Sequence, residues 1–226
     1  MMTERDVGRE AMIPEGRDPY RISARYYDRL FESMNQGLRV LGLRLYMPRP
    51  GAAILDVGCG TGVHLAMYQR YEIKLSGIDS SPAMLEVASE RLGGAASLRL
   101  GNAAQMPYSD NSFDLVLAML SLHEMQPGTR QQVLSEMTRV MAPDGRLLLI
   151  DYHPGPVAFF QGWWTKFVVL VSEIAAGREH FRNYRRYMRD GGIPALVKRA
   201  GLTIEKQRII GGGPLGLFLV SAHAGS

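Results

Sequence analysis

Cysteine is almost absent from this sequence of 226 residues, and Cys59 is the single example. One cysteine cannot form an internal disulfide, so disulfide-stabilised folds are excluded and a reducing compartment is favoured. The five histidines are scattered, without the H-x-x-x-H spacing or the cysteine partner that typical metal sites use. We therefore predict no metal site.

Long apolar runs are also missing. The first ten residues, MMTERDVGRE, are charged and lack the apolar segment of a secretory signal. The most apolar stretch, residues 157–176, is interrupted by Lys166 and Glu173 and by a Gln-Gly pair, so we expect it not to cross a bilayer. These absences predict a cytoplasmic protein and leave open a peripheral position at the inner face of the membrane.

The composition is that of an ordinary globular protein. Hydrophobic residues make up 46% of the chain and charged residues 21%, and the length suits one α/β domain. The formal net charge is +4. This modest charge suits an anionic partner such as a nucleic acid or an anionic membrane, but it is equally compatible with solubility alone.

The chain does contain a dense glycine loop. The segment ILDVGCGTGVHL, residues 54–65, opens with a short β-prone run and continues with glycines at positions 58, 60 and 62. Glycines between a strand and a helix let the backbone turn sharply and approach a ligand closely, and the helix N-terminus adds free N–H groups. Asp79 ends the next β-prone run, where an acid can accept both hydroxyls of a ribose. Together these features predict a nucleoside-binding site.

The loop has the spacing D-x-G-x-G-x-G instead of the dinucleotide fingerprint G-x-G-x-x-G. This pattern resembles motif I of the class I S-adenosylmethionine (SAM) dependent methyltransferases. The resemblance implies that the loop receives the methionine end of SAM. The contacts predicted from it are Asp56, Gly58, Cys59, Gly60 and Gly62.

Further segments carry the same resemblance. GIDSSPAML, residues 77–85, is similar to the family's G-x-D-x-S-x-x-M-L stretch. This implies that Asp79 holds the ribose and that Ser80 lies against the adenine, and it adds Met84 to the predicted cofactor site. RVMAPDGRLLLID, residues 139–151, is similar to the family's RVLKPGGxLxxxD word.

The segment GNAAQMPYSDNSFD, residues 101–114, resembles the signature of the branch that includes the ubiquinone/menaquinone C-methyltransferases. In that branch an Asp at the second position binds the adenine amino group and the next backbone N–H bonds the ring. Here the two positions are Asn102 and Ala103, and the amide oxygen of asparagine can still accept from the amine. Met119, at the end of the fourth predicted strand, completes the predicted cofactor site.

The resemblance implies an α/β fold with a doubly wound, seven-stranded, mostly parallel sheet and an antiparallel last strand. This Rossmann-like methyltransferase fold would carry an N-terminal helical lid and a helical insertion after strand 5. Within a single domain over residues 1–226 we expect a flexible tail (1–18), a helical lid (19–47), a SAM-binding core (52–152), a helical insertion (153–192) and a closing helix with β-hairpin (193–226). The hydrophobic pattern divides the lid into two pieces, extends the helix after the glycine loop to residue 70 and starts strand 5 at residue 146.

The insertion has two unlike halves. Residues 157–176 carry three phenylalanines and both tryptophans of the protein. Arginines then recur at helical spacing: Arg178, Arg182, Arg185, Arg186 and Arg189. The combination is typical of an interfacial membrane contact, but a buried helix with a solvated basic face, or a dimer contact, explains it equally well. A nucleic acid fits worse, because no recognition fold accompanies the basic residues.

Methyl transfer from SAM is an in-line displacement, so the protein must mainly align the acceptor with the methyl group and exclude water. A general base is needed only where the acceptor loses a proton, as in a phenol or a quinol carbon. The candidates are His123, then Asp151 and His153, and the N-terminal tyrosines, of which Tyr27 is the first choice. Each of them has an alternative role at the rim of the site or in packing.

The sequence favours a hydrophobic small molecule or lipid as the methyl acceptor, with S-adenosyl-L-homocysteine (SAH) as the second product. C-methylation of a quinone precursor comes first, and N-methylation of a phospholipid headgroup, or another N- or O-methylation, comes second. A nicotinamide-dependent oxidoreductase and a SAM-binding protein without turnover are the more distant alternatives. The sequence leaves the oligomeric state open.

Overall fold

The computed structural model describes Asp18, residues 24–175 and residues 177–222. For residues 24–34, 159, 161, 172 and 175 it describes the backbone alone. The predicted tail, apart from Asp18, and the first residues of the predicted lid therefore lie outside the described residues.

Seven strands form one sheet: β1 (Ala53–Val57), β2 (Lys74–Asp79), β3 (Ala96–Leu100), β4 (Phe113–Met119), β5 (Met141–Tyr152), β6 (Thr203–Ile210) and β7 (Leu215–Ser221). Their order across the sheet is β3-β2-β1-β4-β5-β7-β6. The pairs among β1 to β5 are parallel, whereas β7 is antiparallel to both β5 and β6. The predicted doubly wound, mostly parallel sheet with an antiparallel closing strand is confirmed.

Burial follows the position of each strand in the sheet. The central strand β1 is buried along almost its whole length, and every residue of β7 is buried. Helices cover both faces of such a sheet, so its central strands are apolar on both sides. The edge strands β3 and β6 are largely exposed, and they carry the polar side chains.

In the described part of the chain, the helices that flank the sheet are α1 (Ala24–Leu45), α2 (Val63–Ala66), α3 (Pro82–Leu92), α4 (Pro127–Val140), α5 (Phe159–Ala175), α6 (Arg178–Arg189) and α7 (Gly192–Arg199). A short 3₁₀ turn, Leu122–Glu124, precedes α4. The helix α1 is continuous, whereas the hydrophobic pattern predicted two pieces. It packs against α3 and against β5 and β7.

Two boundaries differ from the prediction. The helix α2 ends at Ala66, because the next N–H groups bond three residues back, as Met67 does to His64 and Tyr68 to Leu65. The strand β5 begins at Met141 instead of residue 146. Met141 already pairs with Phe113, and the next pair is Leu115 with Arg146, so the extra residues form an irregularity in β5.

The start of α3 shows why the chain turns sharply there. Ser81 caps the helix, since its Oγ accepts the N–H of Met84 at 3.1 Å, and Pro82 occupies the first turn. Asp18 strengthens this cap: its Oδ2 accepts the Oγ–H of Ser81 at 2.7 Å and the N–H of Ala83 at 3.1 Å. Asp18, the residue that precedes the predicted lid, is therefore hydrogen-bonded to the start of α3.

The insertion forms two helices, α5 and α6. The N-terminal end of α5 lies on the loop between β6 and β7, where the N–H of Ala158 donates to the carbonyl of Gly212 at 2.7 Å. A Cβ on Gly162 would clash with that same carbonyl, so glycine permits the close approach. Among the helices that the structure describes, α5 included, none has the length and apolar character that a membrane crossing requires.

We predict that Gly62→Ala destabilises the protein more than Gly60→Ala does. Both glycines have positive φ angles, so alanine at either position costs about 1–2 kcal/mol of strain. Only at Gly62 would the new Cβ also press on Ala88 and Leu92 of α3, which adds about 1–3 kcal/mol. Chemical denaturation of the two variants measures the difference, and equal losses would contradict the packing role of Gly62.

Candidate functional site

A cavity of about 390 Å³ opens at the carboxyl ends of β1, β2 and β4. Strand order reverses between β1 and β4, which is where open α/β sheets bind their ligands. The helix α1 contributes Asn35 and Arg39 to the wall of the cavity. At another wall lie residues from the 3₁₀ turn and α4: Glu124, Met125, Thr129 and Val133.

The glycine loop is held in place by the end of β2. The N–H of Gly58 donates to the carbonyl of Ile78 at 2.8 Å, and the N–H of Gly60 donates to Oδ2 of Asp79 at 2.8 Å. The other oxygen of Asp79 accepts the N–H of Ser81 at 2.9 Å. Burial raises the pKa of Asp79, although these backbone hydrogen bonds oppose the effect. One carboxylate therefore connects the loop to the start of α3.

Asp56 lies at the end of β1, and its side chain is 2% exposed. Burial raises its pKa to about 8, against the opposing effect of the Arg39 guanidinium. Both side chains line the cavity. A ligand that brings a positive group to Asp56 would therefore favour the ionised carboxylate.

Several buried polar atoms at the cavity wall have no hydrogen-bond partner among the described residues. They are Oδ1 of Asn35, Oγ of Ser121 and both ring nitrogens of His64. Burial and the Arg39 charge lower the pKa of His64 to about 3, so its ring is neutral. Buried polar groups are nearly always satisfied in native proteins, and these atoms indicate a polar ligand in the cavity.

A second polar cluster adjoins the cavity. Nδ1 of His123 lies 2.7 Å from Oδ1 of Asp151, and the backbone N–H of His123 donates to Oδ2 at 3.1 Å. The other ring nitrogen, Nε2, lies 3.5 Å from Oε1 of Glu173 in α5 and 3.9 Å from Oε1 of Glu124. Nε2 of His180 in α6 lies 2.7 Å from Oε2 of Glu173. Of these residues, Glu124 lines the cavity.

The charges of this cluster are coupled. Burial works to lower the pKa of His123, but Asp151 and Glu173 outweigh it and raise the pKa to about 10. Burial works in the opposite direction at Glu173, where His123 and His180 lower the pKa to about 2. Burial raises the pKa of Glu124, although the two histidines oppose it.

Comparison with known proteins shows the family. Residues 54–145 match the family model described as "Methyltransferase domain". The chain is 30% identical over 223 residues to a demethylmenaquinone methyltransferase of Desulfitobacterium hafniense (strain Y51), and the match covers 87% of this chain and 85% of the relative.

This chain belongs to the class I SAM-dependent methyltransferases.

Solved structures agree with this assignment at the level of the fold. A SAM-dependent methyltransferase from Aquifex aeolicus superposes with a TM-score of 0.59 at 18% identity, covering 80% of this chain and 88% of that one. A geranyl diphosphate methyltransferase, solved with GPP and sinefungin, gives a TM-score of 0.61 at 17% identity, covering 83% of this chain and 78% of that one. The cofactor of the family is SAM, so the nicotinamide-dependent alternative is set aside.

The cavity of this methyltransferase fits SAM. The buried polar atoms of Asn35, His64 and Ser121 that lack a hydrogen-bond partner can bind the carboxylate and ammonium groups of the methionine end. The buried carboxylate of Asp56 can pair with the ammonium group. The backbone at Gly60 has open space beside it, so a ligand can approach closely there. The volume also lies within the range of small-ligand sites.

Most of the predicted cofactor contacts line the cavity. They are Asp56, Gly58, Cys59, Gly60, Asp79, Ser80, Met84, Asn102, Ala103 and Met119. Gly62 does not line the cavity and instead packs against α3. Oδ1 of Asn102, which we expected to accept from adenine, accepts the N–H of Ala104 at 2.9 Å, which leaves its second lone pair for a ligand.

The predicted catalytic residues are placed differently. His123 and Asp151 form the buried pair described above, but neither lines the cavity. Tyr27 falls within α1, and its side chain lies outside the described residues.

Sequence reasoning missed Arg39 and Glu124 at the cavity wall. The pair Asn35 and Arg39, four residues apart on an otherwise amphipathic helix, was an available signal. Glu124 follows the predicted catalytic residue His123 in the chain, and only the fold shows that Glu124, and not His123, lines the cavity.

Proposed function

We propose that this methyltransferase moves the methyl group of SAM to a hydrophobic small molecule or lipid, and that C-methylation of a quinone precursor is its reaction. Two observations support this proposal. The chain is similar to a demethylmenaquinone methyltransferase over most of both lengths. The observation that carries it is the helix α5, which brings Glu173 to within 3.5 Å of His123, the neighbour of the cavity-lining Glu124, and exposes an aromatic face outside.

In this proposal the cavity holds SAM along the ends of the first strands. Asp79 accepts the ribose hydroxyls, and Asn102 and Ala103 hold the adenine. Asp56 and the glycine loop receive the methionine end, while Ser80, Met84 and Met119 supply contact surface. When bound, SAM supplies a methyl group already activated by the sulfonium, so the chain's task is to align the acceptor and exclude water.

The acceptor would enter from the side of Glu124 and Met125. His123 and Asp151 stand behind Glu124, so we assign them a positioning role instead of direct contact with the acceptor. The hydroxyl of Tyr27 stays a candidate for taking a proton from the acceptor.

A membrane surface is the proposed source of the acceptor. On α5 the side chains of Phe160, Trp163, Trp164 and Phe167 are between 55% and 85% exposed. All five arginines of α6 are exposed, while Tyr184 and Tyr187 on its other side are buried. Exposed aromatic bulk beside a basic helix suits contact with an anionic leaflet. The same surface supports the second candidate, N-methylation of a phospholipid headgroup.

The affinity for SAH is expected to fall by up to about tenfold per pH unit as the pH drops from 7.5 to 6. Below its raised pKa of about 8 the buried Asp56 is protonated, and it must lose that proton to pair with the ammonium of SAH. Because binding releases a proton, lower pH weakens it. Isothermal titration calorimetry across this range measures the slope.

Two controls isolate Asp56 in that experiment. Asp56→Asn should bind SAH more weakly and with a flat pH profile, since the amide cannot ionise. The ligand 5′-methylthioadenosine lacks the amino-acid end, so its affinity for the wild-type protein should not follow this slope. An unchanged slope in Asp56→Asn would remove Asp56 from the proposed methionine site.

The acceptor is tested by incubating the protein with methyl-labelled SAM and two candidates. One is a prenylated 1,4-naphthoquinol that lacks the ring methyl group, and the other is phosphatidylethanolamine in vesicles. We expect label on a ring carbon of the naphthoquinol, identified by mass spectrometry. Label on the headgroup nitrogen would support the second candidate instead, and SAH formation with neither would overturn both acceptors.

Binding to anionic vesicles is expected to weaken by at least about 100-fold when Arg182, Arg185 and Arg186 are changed to glutamate, since each basic residue near an anionic surface contributes about 1 kcal/mol. The matched control reverses three exposed basic residues elsewhere, Lys74, Lys206 and Arg208. Both variants have the same net charge, so sedimentation with phosphatidylglycerol vesicles separates a local contact from a general charge effect. Equal losses in the two variants would exclude α6 as the contact.

A further inference from the structure

The polar cluster beside the cavity draws its members from three separate parts of the chain. The 3₁₀ turn after β4 provides His123 and Glu124, α5 provides Glu173, and α6 provides His180. One ligand atom from each of His123, Glu124 and His180 lies within 4.8 Å of the others. Glu173 is not within this group of three, but it contacts both of its histidines, at 3.5 Å from His123 and 2.7 Å from His180.

The ring of His123 is oriented as metal-binding histidines are. Its Nδ1 is engaged by the carboxylate of Asp151, and that carboxylate is itself fixed by the backbone N–H groups of His123 and Tyr152. A carboxylate on one ring nitrogen sets the tautomer and leaves the other nitrogen as a ligand. Here Nε2 faces the carboxylates of Glu173 and Glu124.

Glu173 lies between the two histidines. Its Oε2 is 2.7 Å from Nε2 of His180, and its Oε1 is 3.5 Å from Nε2 of His123. The side chain of Glu173 is 5% exposed, so its carboxylate is surrounded by protein groups and not by bulk water. A carboxylate held against two imidazoles in this way can join them as ligands of one ion.

We propose that His123, Glu124, Glu173 and His180 bind a divalent first-row transition metal, with Zn²⁺ as the first candidate, at the acceptor end of the cavity. Imidazole nitrogen and carboxylate oxygen together suit Zn²⁺, Fe²⁺ or Mn²⁺ better than Ca²⁺ or Mg²⁺. With neutral histidines the site holds the two glutamates and Asp151 behind them, and a dication offsets most of that buried negative charge.

The position of the proposed metal site suggests a role for the metal in binding the acceptor. Glu124 is both a member of the cluster and part of the cavity wall, so a bound metal lies beside the cavity. That it also lies next to the acceptor rests on the proposed function. A divalent metal there would bind an oxygen of the acceptor and hold it near the methyl group. The proposed metal site does not depend on which acceptor is used. It differs from the prediction made from the sequence, which was that the protein has no metal site and which considered only ligands close together in the chain.

The competing account is a network of protonated histidines. In that case His123 and His180 carry positive charges that pair with Glu173 and Asp151, and no metal is needed. Metal binding requires neutral imidazoles and would displace those protons. The two accounts differ in whether the purified protein takes up a metal at this position.

The test begins with the full chain stripped by a chelator and titrated with Zn²⁺ against a chromophoric indicator. We expect about one Zn²⁺ per chain with a Kd below about 1 µM. His180→Gln and Glu173→Gln should each weaken binding by at least about 100-fold, and Asp151→Asn by about 10–100-fold. The control His153→Gln, which removes a histidine that contacts Gly213 outside the cluster, should bind as the wild type does.

A second measurement covers the case in which a variant folds poorly. Titration of the wild-type protein with Co²⁺ should give visible absorption bands typical of nitrogen and oxygen ligands, and circular dichroism reports whether each variant is folded. Stoichiometric binding of neither Zn²⁺ nor Co²⁺ by the wild type would overturn the proposal. So would folded His180→Gln and Glu173→Gln proteins that bind Zn²⁺ as tightly as the wild type. Neither result would affect the proposed methyl transfer, because the assay measures metal binding alone.

Discussion

The cavity depends on one carboxylate. Asp79 accepts a backbone N–H from the glycine loop with one oxygen and a backbone N–H from the start of α3 with the other. It therefore fixes the relative positions of the two segments that flank the cofactor cavity. Burial raises the pKa of this group, and the backbone N–H donors oppose that rise because they stabilise the ionised carboxylate.

The helix α5 connects the surface of the protein to its site. Its inner face carries Val169, which packs into the core, and Glu173, which reaches the cluster beside the cavity. Its outer face is aromatic and exposed. Exposure of an apolar helix face to water is unfavourable, so this face of α5 indicates a surface that binds a partner. If a membrane covered the outer face of α5, as proposed above, the source of a hydrophobic acceptor would lie close to the cluster that Glu173 joins.

Much of the fold was predictable because its signals are local. Short apolar runs separated by helical patterns predict buried parallel strands, and the glycine loop marks the point where the first strand turns toward the ligand. The boundaries of α2 and β5 were less predictable, because they depend on how turns and neighbouring strands complete their hydrogen bonds. Most of the cofactor contacts that the resemblance implied line the cavity, since most of them follow directly after a strand. Gly62 was the exception, because its constraint comes from α3.

By itself the sequence determined the sheet, the position of the loop at its edge and the acid that ends the second strand. Hydrophobic periodicity and the backbone freedom of glycine, both of which act over a few residues, mark the strands and the loop, and the resemblance to the methyltransferase family implied how the strands are arranged. Only the tertiary structure decided that Glu124 faces the cavity while His123 turns away from it, and that Glu173 and His180 meet them there. Those side chains come from segments up to about 60 residues apart, as the numbering shows. Their meeting depends on how α5 and α6 pack on the sheet, and no local pattern in the chain encodes that packing.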